Sequence, residues 1–218
     1  MKYDPARHHR RSIRLKGYDY TQAGAYFITI CTNNRECLFG EVVGGDMRLN
    51  DAGRMVESVW NAMPASYPDV TTDAWVVMPN HVHVIVILSG AGTGACPYGD
   101  ATGHPGDAVG AAPRGRPHGG PSPNAGQPQR VARTLSVPDV VHRFKTMTTK
   151  RYADGVKQSG WAPFSGRLWQ RNYYEHIVRN EASLSRIRQY IADNPARWGF
   201  DRENPAATEP EPEDAWAQ

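Results

Sequence analysis

Two histidines interrupt the most apolar run of the sequence, Ala74–Leu88 (AWVVMPNHVHVIVIL). Val, Ile and Trp lie on both sides of a turn signal at Pro79 and Asn80, which predicts a strand, a turn and a second strand. Because side chains alternate between the two faces of a strand, His81 and His83 point to the same side. Neutral imidazole is a common metal ligand, so the pair suggests half of a metal site. The alternative is a pair of buried histidines that hydrogen bond to backbone or water.

A tyrosine and an asparagine near the C-terminus form the second group of chemical interest. Tyr190 and Asn194 are four residues apart in a predicted helix, EASLSRIRQYIADN, and therefore share one face of it. Tyr190 offers a hydroxyl nucleophile, and Asn194 offers a hard oxygen ligand one turn away. With His81 and His83, Asn194 would complete a set of three protein ligands for Mg²⁺ or Mn²⁺. Taken alone, the tyrosine is typical of a core aromatic residue, and the asparagine of a helix terminator before Pro195.

Several periodic segments would position these side chains. Ala25–Thr32 is β-branched and aromatic and predicts a strand, while Leu38–Val43 and Met47–Leu49 predict a hairpin. Asn50 would cap a helix whose apolar residues recur at helical spacing. A second helix, SVPDVVHRFKTMTTKRYAD, precedes a strand around His176 and the last helix. The strands outnumber those of a parallel sheet with crossovers, so the order predicts an α+β fold with an antiparallel sheet and helices on one or both faces.

Composition divides the chain into one domain and three accessory pieces. Hydrophobic residues make up 39% of the 218 residues, below the range of about 45–50% for globular proteins. We predict a basic N-terminal arm over residues 1–20 and a single domain over 21–200. A disordered Gly/Pro-rich insertion at 90–128 would interrupt that domain, and a disordered acidic tail would follow over 201–218.

Charge and cysteine content restrict the class of protein. A formal net charge of +3 and a pI near 8.8 suit a polyanionic partner. No run approaches the roughly 18 apolar residues of a membrane span, and the N-terminus lacks a signal-peptide core. The cysteines are odd in number and lack metal or redox spacing, which predicts reduced thiols and a cytoplasmic location. They are Cys31, Cys37 and Cys96.

The histidine motif and four further ordered blocks carry a resemblance to a known family. MPNHVHVIV resembles the HUH motif of small tyrosine transposases, in which two histidines flank a hydrophobic residue. The similarity continues in RRSIRLKGYDYTQAGAYFITICT, FKTMTTKRY, WQRNYYEHIVRNE and RIRQYIADNPARW. Together the blocks resemble REP-associated tyrosine transposases, relatives of single-strand insertion-sequence transposases, over roughly Arg10 to Trp198 apart from the insertion. The resemblance implies a ferredoxin-like or RRM-like antiparallel sheet with the HUH motif on a central strand.

The resemblance also implies an activity. Tyr190 on the C-terminal helix would be the catalytic nucleophile, and Asn194 would be the third metal ligand beside His81 and His83. The protein would be a metal-dependent endonuclease and strand transferase that recognises REP-like hairpins and cleaves single-stranded DNA through a 5′-phosphotyrosine intermediate. It would act as a monomer or homodimer in the cytoplasm, associated with the nucleoid. The alternatives are a hairpin-binding protein with weak or vestigial cleavage, and a metal-dependent hydrolase in which water attacks.

Basic and aromatic side chains are the predicted DNA contacts. Basic residues of the arm and of the second helix would hold phosphates, with a frayed terminus and a merely solvated helix face as the alternatives. Three aromatic residues could stack unpaired bases. Two of them, Tyr173 and Tyr174, also compete with Tyr190 for the role of nucleophile, but only Tyr190 has a polar partner four residues on. The predicted DNA-binding residues are Arg10, Arg11, Arg14, Lys16, Arg143, Lys145, Lys150, Arg151, Trp169, Tyr173 and Tyr174.

Overall fold

The computed structural model describes residues 17–89, 135–212 and 215–217. Its strands are β1 (Gly24–Cys31), β2 (Gly40–Val43), β3 (Asp46–Leu49), β4 (Val70–Val77), β5 (His81–Leu88) and β6 (Tyr174–Val178). Its α-helices are α1 (Asp51–Ser66), α2 (Val137–Ser159) and α3 (Glu181–Asp193). None of these described helices is long and apolar enough to cross a membrane.

Four strands form one antiparallel sheet in the order β4–β5–β1–β6. With α1 after β1 and α2 after β5, this is the β-α-β-β-α-β arrangement of ferredoxin-like folds. β5 pairs with β1 along its whole length, from Leu88 opposite Gly24 to His81 opposite Cys31. The predicted α+β class and the central position of the histidine strand are therefore confirmed. β2 and β3 form a separate hairpin.

Helices α1 and α2 cover one face of the main sheet. Ile28 and Val84 of the sheet are fully buried there, together with Trp60 of α1 and Phe144 of α2. The rings of Trp60 and Phe144 meet edge to face with centroids 5.4 Å apart. The Asn50 side chain caps α1, as predicted, and α2 begins with a capping box. This face therefore forms the larger core.

Helix α3 covers the opposite face. Its apolar stripe of Leu184, Ile187 and Ile191 is buried against Phe27 of β1 and Ile85 of β5. The odd-numbered residues of β1 and β5 lie on this face because opposite partners in the register share a side. The histidines of β5 and the last helix thus lie on the same side of the sheet.

The chain after α3 differs from the predicted disordered tail. Asp201 and Trp216 are buried, and the Trp216 ring packs against Phe27 with centroids 6.1 Å apart. The Arg197 Nε donates to Glu211 Oε1 at 3.0 Å. The prediction of disorder is wrong for these described residues because a few well-placed anchors hold the segment despite its proline and acidic content.

Two other predicted pieces fall outside the described residues. The insertion at 90–128 lies entirely outside them, and so do residues 1–16 of the arm. At the described end of the arm, Tyr18 and Tyr20 pack against Tyr26 of β1. The arm residues predicted to hold phosphates also lie outside the described ranges, namely Arg10, Arg11, Arg14 and Lys16.

Candidate active site

The histidine pair lies on the central strand β5, at its N-terminal end. His81 and His83 are 0% and 4% exposed, and β1 places Cys31 and Thr29 opposite them. Burial lowers the pKa of His81 to about 3. Burial, together with the adjacent His81, lowers the pKa of His83 well below its usual range. Both imidazoles are therefore neutral at pH 7, which is the form that binds metal ions.

Asn80 determines which nitrogen of His81 carries the proton. The Asn80 Nδ2 donates to the carbonyls of Glu203 at 2.7 Å and Arg35 at 3.1 Å, so its Oδ1 is left to accept. That oxygen lies 2.9 Å from His81 Nδ1, which must donate to it. The His81 Nε2 is therefore unprotonated and presents a lone pair to the site.

The two Nε2 atoms face each other 3.0 Å apart. On its other side, His83 Nδ1 lies 2.8 Å from Thr29 Oγ1, and its ring stacks on Phe27 with centroids 5.4 Å apart. Both Nδ1 atoms thus contact side chains. The alternative of two ordinary buried histidines would have them hydrogen bond to backbone or water. The contact between the Nε2 atoms is relieved either by one proton shared between them or by a cation bonded to both.

Two oxygen-bearing side chains complete the cluster. Asp201 Oδ2 lies 3.7 Å from His81 Nε2, and the ligand atoms of both histidines and Asp201 lie within 4.8 Å of one another. Asn194 Nδ2 donates to the same Asp201 oxygen at 3.1 Å. Its Oδ1 is buried and has no hydrogen-bond partner among the described residues, a situation that costs about 1–3 kcal/mol. A cation among these nitrogen and oxygen donors would remove that cost, so the residues fit a divalent metal ion.

Asp201 is the site residue that the sequence analysis missed. Its position falls in the predicted acidic tail, where its charge resembles that of its neighbours. The signal that could have found it is the apolar triplet Trp198–Phe200 directly before it. The Trp198 ring lies over His81 with centroids 6.0 Å apart, so the chain is still packing against the sheet when it reaches Asp201.

Tyr190 lies on α3 beside the histidine pair. Its ring centroid is 5.3 Å from that of His83, and both residues line a cavity of about 40 Å³ with Asp201 and Tyr174. Burial raises the pKa of Tyr190, and the carboxylates of Asp201 and Glu211 raise it further. Arg197 acts in the opposite direction on this pKa, and its guanidinium lies 5.8 Å from the centre of the Tyr190 ring.

The predicted aromatic DNA contacts occupy different environments. Trp169 is 4% exposed, packs against Phe39 and donates from Nε1 to Thr148 Oγ1 at 2.8 Å. The structure therefore uses it as a core residue, and its ring is not offered to a base. Tyr174 lines the cavity that contains Tyr190, whereas Tyr173 lines a neighbouring cavity.

The basic residues of α2 also divide into two groups. Lys145 Nζ donates to three backbone carbonyls, those of residues 170, 171 and 172. It therefore holds a loop, and its donors are already used. Arg143 lies 4.6 Å over the ring of Tyr67. Lys150 and Arg151 are exposed, so they remain the predicted phosphate contacts of this helix.

Comparison with known proteins places the chain in a family. Residues 130–194 match the model of the IS200-like transposases, a range that includes Tyr190 and Asn194. Over 204 residues the chain is 37% identical to an uncharacterized protein of Haemophilus influenzae, covering 92% of this chain and 96% of that one.

Two solved structures are also similar. One is a REP-associated tyrosine transposase bound to a REP hairpin, at 17% identity and a TM-score of 0.48, covering 87% of this chain and 77% of that one. The other is a candidate transposase from Deinococcus radiodurans, at 18% identity and a TM-score of 0.38, covering 84% and 97%. By its family-model match, which includes Tyr190 and Asn194, the chain belongs to the family of IS200-like transposases.

Proposed function

We propose that this transposase cleaves and rejoins single-stranded DNA beside a hairpin, with Tyr190 as the nucleophile. The observation that carries the proposal is that Tyr190, His83 and Asp201 line one small cavity, with His81 and Asn194 bonded directly to that cluster. A purely DNA-binding surface needs basic and aromatic side chains. It has no use for a half-buried tyrosine beside two neutral imidazoles and a buried carboxylate.

The donor set would hold Mg²⁺ or Mn²⁺. The ligands would be the Nε2 atoms of His81 and His83, the Oδ1 of Asn194 and the carboxylate of Asp201, which form the mixed nitrogen and oxygen set that these ions accept. When bound, the ion would polarise an oxygen of the scissile phosphate. Asn80 and Thr29 would orient the two imidazoles from behind.

The reaction of Tyr190 is a balanced exchange of bonds. Its phenolic oxygen forms a bond to phosphorus while the bond between phosphorus and the 3′ oxygen breaks, and the phenolic proton ends on that departing oxygen. The products are a 5′-phosphotyrosine and a free 3′-hydroxyl. Because the phosphoester is conserved, attack by a 3′-hydroxyl reverses the step and joins strands without ATP. The guanidinium of Arg197 would stabilise negative charge on the phenolic oxygen and so oppose the effect of burial.

Single-stranded DNA is the substrate that this geometry supports. The cavity of about 40 Å³ is closed on one side by the sheet and on another by the segment after α3. A rigid duplex cannot bring its phosphate into such a space, whereas a flexible strand can. The choice of a REP-like hairpin rests on the four sequence blocks, and the exposed Lys150 and Arg151 would contact its phosphates.

One protomer would hold a complete site. The tyrosine, both histidines and both oxygen donors belong to the same chain in this structure. We therefore expect a single chain to suffice for one cleavage. Cleavage at two ends would require two protomers, or the same site used twice in sequence.

The test is formation of a covalent adduct. The protein is mixed with a labelled oligonucleotide that carries a hairpin and a single-stranded flank, with Mn²⁺ or Mg²⁺, and the products are resolved in SDS. We expect an SDS-stable adduct that Tyr190→Phe abolishes. Tyr174→Phe is the matched control because Tyr174 lines the same cavity, and it should retain the adduct.

Each other outcome identifies a competing function. An adduct lost in Tyr174→Phe and kept in Tyr190→Phe would show that Tyr174, and not Tyr190, is the nucleophile. Cleavage without any adduct would indicate hydrolysis by water. Tight binding without cleavage would indicate a hairpin-binding protein.

A further inference from the structure

A second cavity adjoins the candidate active site along β1. Its volume is about 210 Å³, larger than the cavity that contains Tyr190. The two cavities share four wall residues, Thr29, Tyr174, Arg202 and Glu203. A chain that enters the smaller cavity can therefore place its next chemical group in the larger one.

The floor of this second cavity borders the histidine pair. Thr29 and Cys31 of β1 line it, and they lie opposite His83 and His81 in the sheet register. Thr29 Oγ1 is also 2.8 Å from His83 Nδ1. A group bound on this floor lies one strand away from the candidate metal ligands.

One wall of the cavity is held in place by Lys145. Its Nζ donates to the carbonyls of Gln170 at 2.8 Å, Asn172 at 3.1 Å and Arg171 at 3.4 Å. The backbone N–H of Gln170 donates to the carbonyl of Cys31 at 2.9 Å. The loop is thus fixed to both α2 and β1, so a ligand binding here would not have to order it.

Charged residues of both signs line the cavity, namely Arg35, Arg202 and Glu203. Arg35 Nε lies 2.9 Å from Glu203 Oε2, so these two wall residues compensate each other. The remaining charged wall residue, Arg202, belongs to both cavities and would attract the phosphate of a strand that passes between them, which leaves the base to the uncharged part of the lining.

The uncharged part of the lining suits a flat ring with a hydrogen-bonding edge. Tyr173 and Tyr174 supply aromatic surface, on which unpaired bases stack. Gln170 and Asn172 supply side-chain amides, and in the described part of the chain neither amide makes a hydrogen bond. An amide offers both a donor and an acceptor, the combination that reads a base edge.

We propose that this cavity binds the base of a nucleotide next to the scissile phosphate and that Gln170 and Asn172 select which base is accepted. The proposal rests on the proposed cleavage of single-stranded DNA and adds a specificity subsite to it. Lys145 acts as a positioning residue for that subsite.

The experiment measures base preference by binding. The Tyr190→Phe protein, which cannot form an adduct, is titrated by fluorescence anisotropy with hairpin oligonucleotides whose flank carries each of the four bases in turn at each position. We expect one flank position at which the preferred base binds about tenfold more tightly than the others. Adding Gln170→Ala or Asn172→Ala should reduce that preference to about twofold or less.

Gln189→Ala is the matched control because its amide, on the exposed side of α3, bonds to Asp193. It should leave the preference unchanged, and melting temperatures should show that all the variants fold. The subsite is overturned if no flank position shows a preference, or if the preference survives both substitutions.

The adduct assay separates this result from the proposed function. An adduct formed by the unsubstituted protein, with the preference unaffected in Gln170→Ala and Asn172→Ala, would reject the subsite and leave cleavage standing. Loss of the preference in those variants, with no adduct from any flank, would support the subsite and reject covalent cleavage.

Discussion

At the scale of single residues, the carboxylate of Asp201 gives the histidine pair a negatively charged partner. We predict that Asp201→Asn lowers the affinity for Mn²⁺ about tenfold or more, because a neutral amide replaces an anionic ligand of similar size. Isothermal titration with the metal alone measures this without any cleavage assay. Asp193→Asn is the control, since that carboxylate accepts from Gln189 on α3, and it should bind Mn²⁺ normally. Equal affinities in the two variants would remove Asp201 from the ligand set.

Asn80 acts behind the site by fixing the His81 tautomer. We predict that Asn80→Ala lowers the affinity for Mn²⁺ about 10- to 100-fold and lowers the free energy of unfolding by about 1–3 kcal/mol, because two partly buried carbonyls lose their donor. Titration calorimetry and chemical denaturation measure the two effects. Asn33→Ala, at an exposed amide, should change neither. A destabilised Asn80→Ala protein that binds Mn²⁺ normally would show that Asn80 is purely structural.

The position of a side chain can be predicted from the sequence where the local spacing of a strand or helix determines its face. The alternation of a strand places His81 and His83 on one face, and the pitch of a helix places Tyr190 one turn from Asn194. Asp201 and Trp169 follow no such rule. Asp201 reaches the site because the chain folds back, and Trp169 is buried against Phe39 and Phe144, with Thr148 accepting from its indole.

At the scale of elements, caps and periodicity are the informative signals. The caps at Asn50 and Asn180 mark the starts of α1 and α3, and the apolar stripe of α3 gives the face that is buried. The loop before β6 is harder to predict. The predicted strand around His176 is β6, and it begins at Tyr174 because Lys145 holds the carbonyls of the preceding residues in place of a neighbouring strand.

Lys145 makes the stability of the folded protein dependent on pH. Burial lowers the pKa of Lys145 to about 8, below the value of about 10.4 in an unfolded chain. Between these two pH values the unfolded chain binds a proton that the folded chain has released, so rising pH favours folding through this residue. We predict that the stability difference between the unsubstituted protein and Lys145→Met shifts in favour of the lysine from pH 8 to 10, by at most about 1.4 kcal/mol per pH unit.

Urea denaturation at several pH values measures this difference. Lys150→Met is the matched control, because Lys150 is exposed on the same helix, and it should show no such slope. A flat difference for Lys145→Met would show that the ammonium keeps its proton in the folded protein.

At the scale of the whole molecule, the segment after α3 closes the structure over the sheet. Trp216 anchors it, with its ring against Phe27 at 6.1 Å and His176 at 4.2 Å. We predict that Trp216→Ala lowers the free energy of unfolding by about 3–5 kcal/mol, as expected for a buried tryptophan. It should also weaken Mn²⁺ binding, because Asp201 is carried by the same segment. Denaturation and titration calorimetry measure the two effects.

Trp216→Phe serves as the comparison, because it keeps an aromatic ring in the same place and should retain most of the Mn²⁺ affinity. If Trp216→Ala binds Mn²⁺ as tightly as the unsubstituted protein, Asp201 is positioned without this anchor.

The arrangement of the sheet followed from the order of the elements. This closing segment did not, because composition describes its average character and not its few buried contacts.

The position of Asp201 in the chain has a consequence for the timing of assembly. Proteins emerge from the ribosome N-terminus first, so β1, β4 and β5 can pair, and bring the histidines into the sheet, well before Asp201 is synthesised. β6 and α3 are synthesised next, and only then can the Asp201 carboxylate reach the histidines. A nascent or prematurely ended chain would therefore carry its histidines without the acidic ligand, so the cutting site would be among the last features of the protein to form.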